Sequence, residues 1–307
     1  LEKENQGLSM PKISIIIPTL NEEDLLPNLL DTLKSQSFQD FEIIVADAGS
    51  KDNTCKIATQ AGAIVVPGGL PGVGRNRGAA IAKGEFLFFF DADVILPLDF
   101  LEKAYSEIEE RFVDLATCEF KPQSDLRLDK VLFQLSNLFV KINQKLNPRA
   151  AGFCIFISSR LFRRINGFDE SVKLAEDHDL VERASKFRPL HFLKSTHLTV
   201  SIRRLEKEGR FSLIEKYMQV ELHLLTKGSI RKEDFVEYEF SNFEKKLDNT
   251  EGKKFLDELE KRIIQLEEGY NKVSESVLPQ EQRDKWVKNL DTVKDAFDSF
   301  FKIGKKS

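Results

Sequence analysis

Phe86-Leu87-Phe88-Phe89-Phe90-Asp91-Ala92-Asp93 is the stretch on which the reading of this chain turns. A fully apolar, largely aromatic run stops at two carboxylates one residue apart. A run this short reads as a buried central strand. In open α/β sheets, ligands bind just outside the carboxyl ends of the strands. Side chains at i and i+2 of an extended chain point the same way, so Asp91 and Asp93 together can hold a hard divalent cation that bridges phosphate oxygens. Taken alone, the octapeptide is equally a strand followed by a polar turn.

The flanking sequence supplies the rest of a sheet. Ile13 to Ile17 is a β-branched run ending at Pro18 and predicts a buried first strand. Leu25, Leu26, Leu29, Leu30 and Leu33 share one face of a helix over Glu23–Lys34. Phe41–Ala46 predicts a second strand, and Asp52 or Asn53 caps a second helix that ends near Gly62. Ala63–Val66 is a third strand, and Gly72–Lys83 a third helix with a glycine-rich first turn. Strand and helix alternate with short loops, which predicts a mostly parallel, doubly wound α/β sheet.

Past Asp93 the alternation loosens. Helices are expected over Pro97–Arg111, Leu126–Leu146 and Glu176–Lys186. Strands are expected over Leu115–Phe120 and Phe153–Ser158, with two short ones near Leu190–Leu193 and Leu198–Ser201. From about Arg203 the pattern is helical throughout. Leu256, Leu259, Ile263, Leu266 and Tyr270, then Trp286, Leu290, Val293, Phe297 and Phe300, predict an amphipathic helical hairpin, either a packed appendage or a module for self-association or partner binding. The expected organisation is residues 10–93 as a nucleotide-binding half, 94–230 as an acceptor half, and 231–307 as an all-helical C-terminal appendage. Met10-Pro11-Lys12 directly before the first strand reads as a natural start, with residues 1–9 an expression remnant.

Composition narrows the class. Of 307 residues, 41% are hydrophobic and 31% charged, the balance of a globular protein. A net charge of −4 gives no global attraction to nucleic acid. Cys55, Cys118 and Cys154 lack metal-site spacing and fit a reducing, cytoplasmic setting with buried thiols. No apolar stretch approaches the roughly 20 residues that span a bilayer.

Each early strand ends in a polar turn: Pro18-Thr19-Leu20-Asn21-Glu22, Asp47-Ala48-Gly49-Ser50-Lys51-Asp52-Asn53-Thr54, and Asp91-Ala92-Asp93. The third helix opens Gly72-Val73-Gly74-Arg75-Asn76-Arg77-Gly78. Singly these are ordinary turns and caps. Together, on one edge of a sheet, they form a crevice where an acidic group reads a base or ribose and a cation meets a pyrophosphate.

In this order the motifs resemble those of the family 2 glycosyltransferases, which have the GT-A fold and use nucleoside-diphosphate sugars. The resemblance continues through Gly167-Phe168-Asp169-Glu170 and Glu176-Asp177-His178-Asp179-Leu180, and covers about residues 11–205. It implies inversion at the sugar carbon and the following roles. Pro18 and Leu20 line the nucleobase pocket, and Glu22 contacts the ribose. Asp47 accepts a base N–H, and Arg75 lies near the base or diphosphate. Asp91 binds ribose or metal-bound water, Asp93 is the direct ligand of Mn²⁺ or Mg²⁺, Glu176 stands on the acceptor side, and Asp177 is the catalytic base. Arg203 and Arg204 clamp the diphosphate, or form a solvated basic turn. Leu20 departs from the aromatic residue common in the family, and Ala48 from a second aspartate. His197 is a candidate to complete the metal site, with a structural histidine the plainer reading.

Relatives with an Arg-Arg turn before a long apolar helix often act on lipid carriers, which implies a lipid-linked or glycan acceptor and peripheral contact with the inner face of a membrane. The apolar faces at 126–146 and 211–225, with their basic edges, suit a membrane surface or a core equally. Two other functions remain in view. A nucleotidyltransferase would carry a glycine-rich basic loop after the first strand, and here that loop is Pro18 to Glu22. A non-catalytic sugar-nucleotide-binding scaffold would have no need of Asp91, Asp93 and Asp177 together.

Overall fold

The computed structural model describes residues 10–144, 148–172, 174–208 and 257. They fall into two compact units: residues 10–123 with 143–202, and residues 124–142 with 203–208 and 257.

The first unit is built on one sheet. Its strands are β1 (Ile13–Thr19), β2 (Phe41–Asp47), β3 (Ile64–Pro67), β4 (Phe86–Phe89), β5 (Val94–Ile95), β6 (Leu115–Pro122), β7 (Ile155–Ser158) and β8 (His191–Val200). They lie in the order β3-β2-β1-β4-β7-β6-β8-β5. β1 pairs parallel with both β2 and β4, and β2 with β3. β7 runs antiparallel to β4 and β6, β6 pairs parallel with β8, and β5 runs antiparallel to β8. The sheet is therefore mostly parallel, and the strand of the opening octapeptide is central.

The helices of this unit are α1 (Leu26–Lys34), α2 (Thr54–Gln60), α3 (Pro71–Ile81), α4 (Phe100–Glu110), α6 (Ser159–Arg164) and α7 (Glu176–Ser185); the second unit contains α5 (Arg127–Asn143) and α8 (Arg203–Glu208). Leu26, Leu29, Leu30 and Leu33 bury the predicted face of α1. Helix α3 lies close on the sheet because it has glycine where it touches. A side chain at Gly78 would begin 2.6 Å from Ile16 Cγ2, and one at Gly74 would meet Pro18 and Ala46 at 3.5 Å.

Phenylalanine fills the centre. Phe88, Phe89 and Phe90 are wholly buried. Phe88 stacks on Phe156 of β7 at 4.5 Å, and Phe90 packs edge-on against Phe100 of α4 at 5.8 Å. Phe89 meets Phe168 edge-on at 5.3 Å. Aromatic pairs in these geometries add about 0.5–1.5 kcal/mol each beyond their buried area. The strand that ends at Asp91 is thus held on both faces.

The two short strands expected near 190–201 form one continuous strand, β8, because an irregularity opposite Cys118 and Glu119 of β6 absorbs the break in pattern. Pro18 does not end β1: it stays in register opposite Ala46 of the parallel neighbour. β5 and α6 are additional elements, the second opened by Ser158, whose hydroxyl accepts from Leu161 N–H. Helix α1 begins at Leu26, since Pro27 favours a first-turn position. Cys118 and Cys154 are fully buried thiols with their sulfur atoms 3.4 Å apart, and Cys55 is half-buried. In α5, Val131, Leu132, Leu138 and Val140 are buried, as in a core helix. The segments 211–225 and 231–307, apart from residue 257, lie outside the described residues. Among the described residues no helix is long and apolar enough to cross a membrane.

Candidate active site

The carboxyl ends of β1 and β2 carry two loops that are bonded to each other. Asn21 donates its backbone N–H to Ser50 Oγ at 2.8 Å, and its side-chain oxygen accepts from Lys51 N–H at 2.9 Å. Glu22 N–H meets Thr54 Oγ1 at 2.8 Å, and Glu23 N–H meets Asp52 Oδ2 at 3.2 Å. The Glu23 carboxylate returns the contact, accepting from the backbone and side-chain amides of Asn53. Asn21 has a φ of +54°, a left-handed conformation that asparagine tolerates better than most residues. This interlock explains why polar residues recur at these spacings in both turns.

Asp47 is the hub of the second loop. Its Oδ2 accepts from the N–H groups of Gly49 and Ser50, at 3.0 and 2.8 Å. Its Oδ1 accepts from the hydroxyls of Thr19 and Ser50. Burial works to raise the pKa of this carboxyl, but the bonds from Ser50, Cys55 and Gly49 outweigh it and hold Asp47 below its ordinary range. A carboxylate offers about four acceptor positions, and Asp47 uses them on its own loops. Beside it, Pro18 is half-buried, Leu20 is exposed and Glu22 is half-buried.

At the end of β4 the character changes. Arg75 extends from α3, is only 3% exposed, and bridges two distant parts of the chain. Its Nη2 meets Asp91 Oδ1 at 2.8 Å, and its Nη1 meets Glu176 Oε1 at 2.9 Å. Glu176 is the first residue of α7, and Ala175 before it has a φ of +58°, a strained turn for a residue with a side chain. Asp177 Oδ2 accepts the backbone N–H of Gly152 at 2.8 Å. Burial and the charge of Asp177 raise the pKa of Glu176, with Arg75 opposing them. Arg75 itself is held protonated: burial alone would lower its pKa, and the charges of Asp91, Glu176 and Asp177 more than reverse that.

The remaining motif residues support this cluster. Asn76 clasps the turn at 167–170: its Nδ2 donates to Phe168 O and its Oδ1 accepts Phe168 N–H, both at 2.9 Å. That turn needs glycine, since Gly167 has a φ of +64°. Phe168 then lies against the guanidinium of Arg75, 5.6 Å from its ring centroid.

The structure thus brings together Arg75, Asp91, Glu176 and Asp177, and sets Pro18, Leu20, Glu22 and Asp47 at the ends of the neighbouring strands. Asp93 is half-buried, two residues beyond Asp91, and its carbonyl accepts Ser201 N–H at 3.1 Å. Arg203 and Arg204 are exposed on α8, which belongs to the second unit. His197 is half-buried, with the charges of Lys121, Glu119, Lys103 and Asp99 acting on it. Sequence reasoning passed over Gly152 and Phe168 as site residues. Gly152 carries no chemical side chain, and Phe168 was visible only as part of a turn.

An α/β sheet with acidic turns at the carboxyl ends of its strands, joined to a second acidic cluster from a later helix, is the architecture of the nucleotide-sugar transferases with the GT-A fold. The chain belongs to glycosyl transferase family 2, whose family model matches residues 14–166. It is 31% identical over 206 residues to the poly(ribitol-phosphate) beta-glucosyltransferase of Bacillus spizizenii, covering 62% of this chain and 31% of that protein. It is 28% identical over 183 residues to the poly(ribitol-phosphate) beta-N-acetylglucosaminyltransferase TarS of Staphylococcus aureus, covering 55% and 31%. The chain therefore spans about a third of the length of these relatives. Two solved structures share the fold. TarS 1-349 of S. aureus with UDP-GlcNAc aligns with a TM-score of 0.52 at 18% identity, over 93% of this chain and 81% of that one. The mannosyltransferase PcManGT of Pyrobaculum calidifontis, with GDP-Man and Mn²⁺, aligns with a TM-score of 0.54 at 20% identity, over 70% and 65%.

Proposed function

We propose that this chain is a metal-dependent, inverting glycosyltransferase that moves a sugar from a nucleoside-diphosphate sugar to an acceptor hydroxyl. The observation that carries the reading is the Asp91–Arg75–Glu176 bridge, which joins the end of the central strand to the helix that bears Asp177. The relatives' printed activities and the UDP-GlcNAc and GDP-Man of the structural neighbours support the donor class.

In this reading Pro18, Leu20 and Glu22 border the nucleoside, and Asp47, expected from the resemblance to accept a base N–H itself, instead fixes the loop that receives the base, its carboxylate being engaged by Thr19, Gly49 and Ser50. Asp177 takes the proton from the attacking hydroxyl, on the face of the sugar opposite the leaving diphosphate. Glu176, half-shielded and tied to Arg75, orients the acceptor beside it.

The donor set fits a hard divalent cation. Asp91, Glu176 and Asp177 present three carboxylates against the one guanidinium of Arg75. A diphosphate approaching that excess negative charge needs a cation, and two carboxylates plus phosphate oxygens are what Mg²⁺ or Mn²⁺ takes. Asp93, with Asp91 beside it, would hold the ion, which when bound offsets the charge growing on the leaving diphosphate. Among the described residues no group of three or more His, Cys, Asp or Glu forms a metal site.

The acceptor we propose is a glycan or polyol-phosphate chain, free or lipid-linked. The test is release of nucleoside diphosphate from UDP- and GDP-sugars, with and without Mn²⁺. Full activity in Asp93→Ala or in the absence of any divalent ion would overturn the metal assignment. Nucleotide binding without turnover on any acceptor would favour the scaffold reading.

A further inference from the structure

We propose that Gly152 is a positioning residue of this site, and that its lack of a side chain fixes Asp177 and Arg75 at once. The inference rests on the transfer reaction proposed above. Gly152 does two things from one position. Its backbone N–H donates to Asp177 Oδ2 at 2.8 Å. Its Cα face lies flat on the guanidinium: a Cβ built there would stand 2.7 Å from Arg75 Nη2 and 3.0 Å from both Cζ and Nη1.

The backbone does not require glycine here. The positive-φ glycines among the described residues are Gly49, Gly62 and Gly167, so what Gly152 supplies is space. The guanidinium has no room to retreat. Phe168 packs on it with its centroid 5.6 Å from Cζ, Asp91 and Glu176 hold its edge, and the side chain is 4% exposed. Gly72 keeps the neighbouring wall equally close, since a Cβ there would begin 3.1 Å from Glu176 Cγ. An added methyl at residue 152 must therefore either push Arg75 off its carboxylates or lift the loop and carry its N–H away from Asp177. Both displace the base relative to the donor. A misplacement of about 1 Å costs on the order of 100-fold in rate.

The experiment is a double-mutant cycle in the full chain: Gly152→Ala, Arg75→Lys and the two combined, with UDP- and GDP-sugars as donors and assays run well below the unfolding temperature. Gly152→Ala is expected to lower kcat by about 100-fold while the donor KM stays within about 3-fold. Lysine lacks the planar head that the methyl would strike. In the Arg75→Lys background, adding Gly152→Ala is then expected to cost less than about 3-fold. A wild-type kcat in Gly152→Ala, or the same loss in both backgrounds, overturns the inference and leaves the transferase reading standing. If the unaltered chain transfers no sugar, the transferase reading falls. The cycle is then read in thermal unfolding. A fall in Tm of a few degrees on Gly152→Ala that vanishes in the Arg75→Lys background sustains the steric assignment, and an equal fall in both backgrounds defeats it.

Discussion

The loop pair at the ends of β1 and β2 and the charged cluster around Arg75 lie at one edge of one sheet, and they are built on opposite principles. In the loop pair Asp47 and Asp52 face neutral donors. Asp47 takes backbone N–H and hydroxyl groups, and Asp52 takes Thr54 and the Glu23 amide. Both carboxyls are held below their ordinary range. Such a surface is finished before a ligand arrives. In the cluster, three carboxylates share one guanidinium, and the result is a carboxyl, Glu176, raised by burial and by its neighbour Asp177. The first arrangement holds a shape; the second holds unbalanced charge in a confined place, which is how groups poised for proton transfer and cation binding are made.

That contrast breaks most sharply at Asp177. Asp177→Asn keeps an oxygen for the Gly152 N–H but removes the proton acceptor. We expect kcat to fall by about 10³-fold, within the usual range for loss of a general base, with the fold and the donor KM nearly unchanged. Steady-state kinetics beside circular dichroism check this; a loss in KM alone would move Asp177 into the loop pair's class of shape-holding residues. Next in size is Arg75→Ala. Removing one partner of a buried ion pair costs about 3–5 kcal/mol. The lower end applies here, because the Asp91 side chain is 40% exposed and water screens it. Urea unfolding at pH 7 measures the change, and a loss under about 1 kcal/mol would mean that the cluster has no structural role.

Much of this was legible in the chain itself. The alternation of apolar runs and polar turns set the parallel half of the sheet, because each strand there is a continuous β-branched or aromatic run with one reading. The second half was harder. β5 is two residues long, and β8 has a mid-strand irregularity that broke its pattern in two. The unusual number of phenylalanines had no interpretation until Phe88, Phe89 and Phe90 met Phe156, Phe162, Phe168 and Phe100 across the sheet. At the site, acidic residues announce themselves by type and spacing. What sequence does not carry is who faces whom: Arg75 reaches Glu176 across 101 positions. Gly152 acts through an amide and an empty volume, neither of which is written in its letter.

Smaller effects test the loop pair. Asn21→Ala removes the acceptor for Lys51 N–H and leaves a β-carbon residue at a φ of +54°. A lost hydrogen bond and the left-handed strain are each worth about 1 kcal/mol, less at an exposed position. Asn21→Gly loses the bond but not the conformation, so it should be the milder of the two. If both substitutions cost the same, the conformation is not what asparagine supports. Nucleotide affinity, read by calorimetry, should fall with stability in the alanine variant, because in the proposed function the interlock walls the base pocket.

The smallest expected effect concerns acid, and it bears on the shape-holding principle beyond the site. Glu107 and Asp114 are nearly buried, and like Asp47 they end up with lowered pKa values. In each, burial pushes the pKa up and hydrogen bonds more than reverse it: from Ser195, His191 and Lys194 to Glu107, and from Ser158, Arg188 and Arg160 to Asp114. A carboxyl whose folded pKa lies below its unfolded one binds fewer protons when folded. Its contribution is complete above the ordinary carboxylate range and is lost as pH falls through that range to the folded pKa. Tm should therefore hold from pH 7 to about pH 5 and decline below it. Asp114→Asn should lower Tm at neutral pH and flatten the decline. Glu176 works in the other direction: its raised pKa means that it binds a proton more readily when folded, so it offsets part of that decline in acid. Arg75 opposes this rise, and a Glu176→Gln variant should accordingly steepen the acid limb slightly relative to its own neutral plateau; an unchanged limb would mean that the cluster does not store the charge imbalance that distinguishes it from the loops.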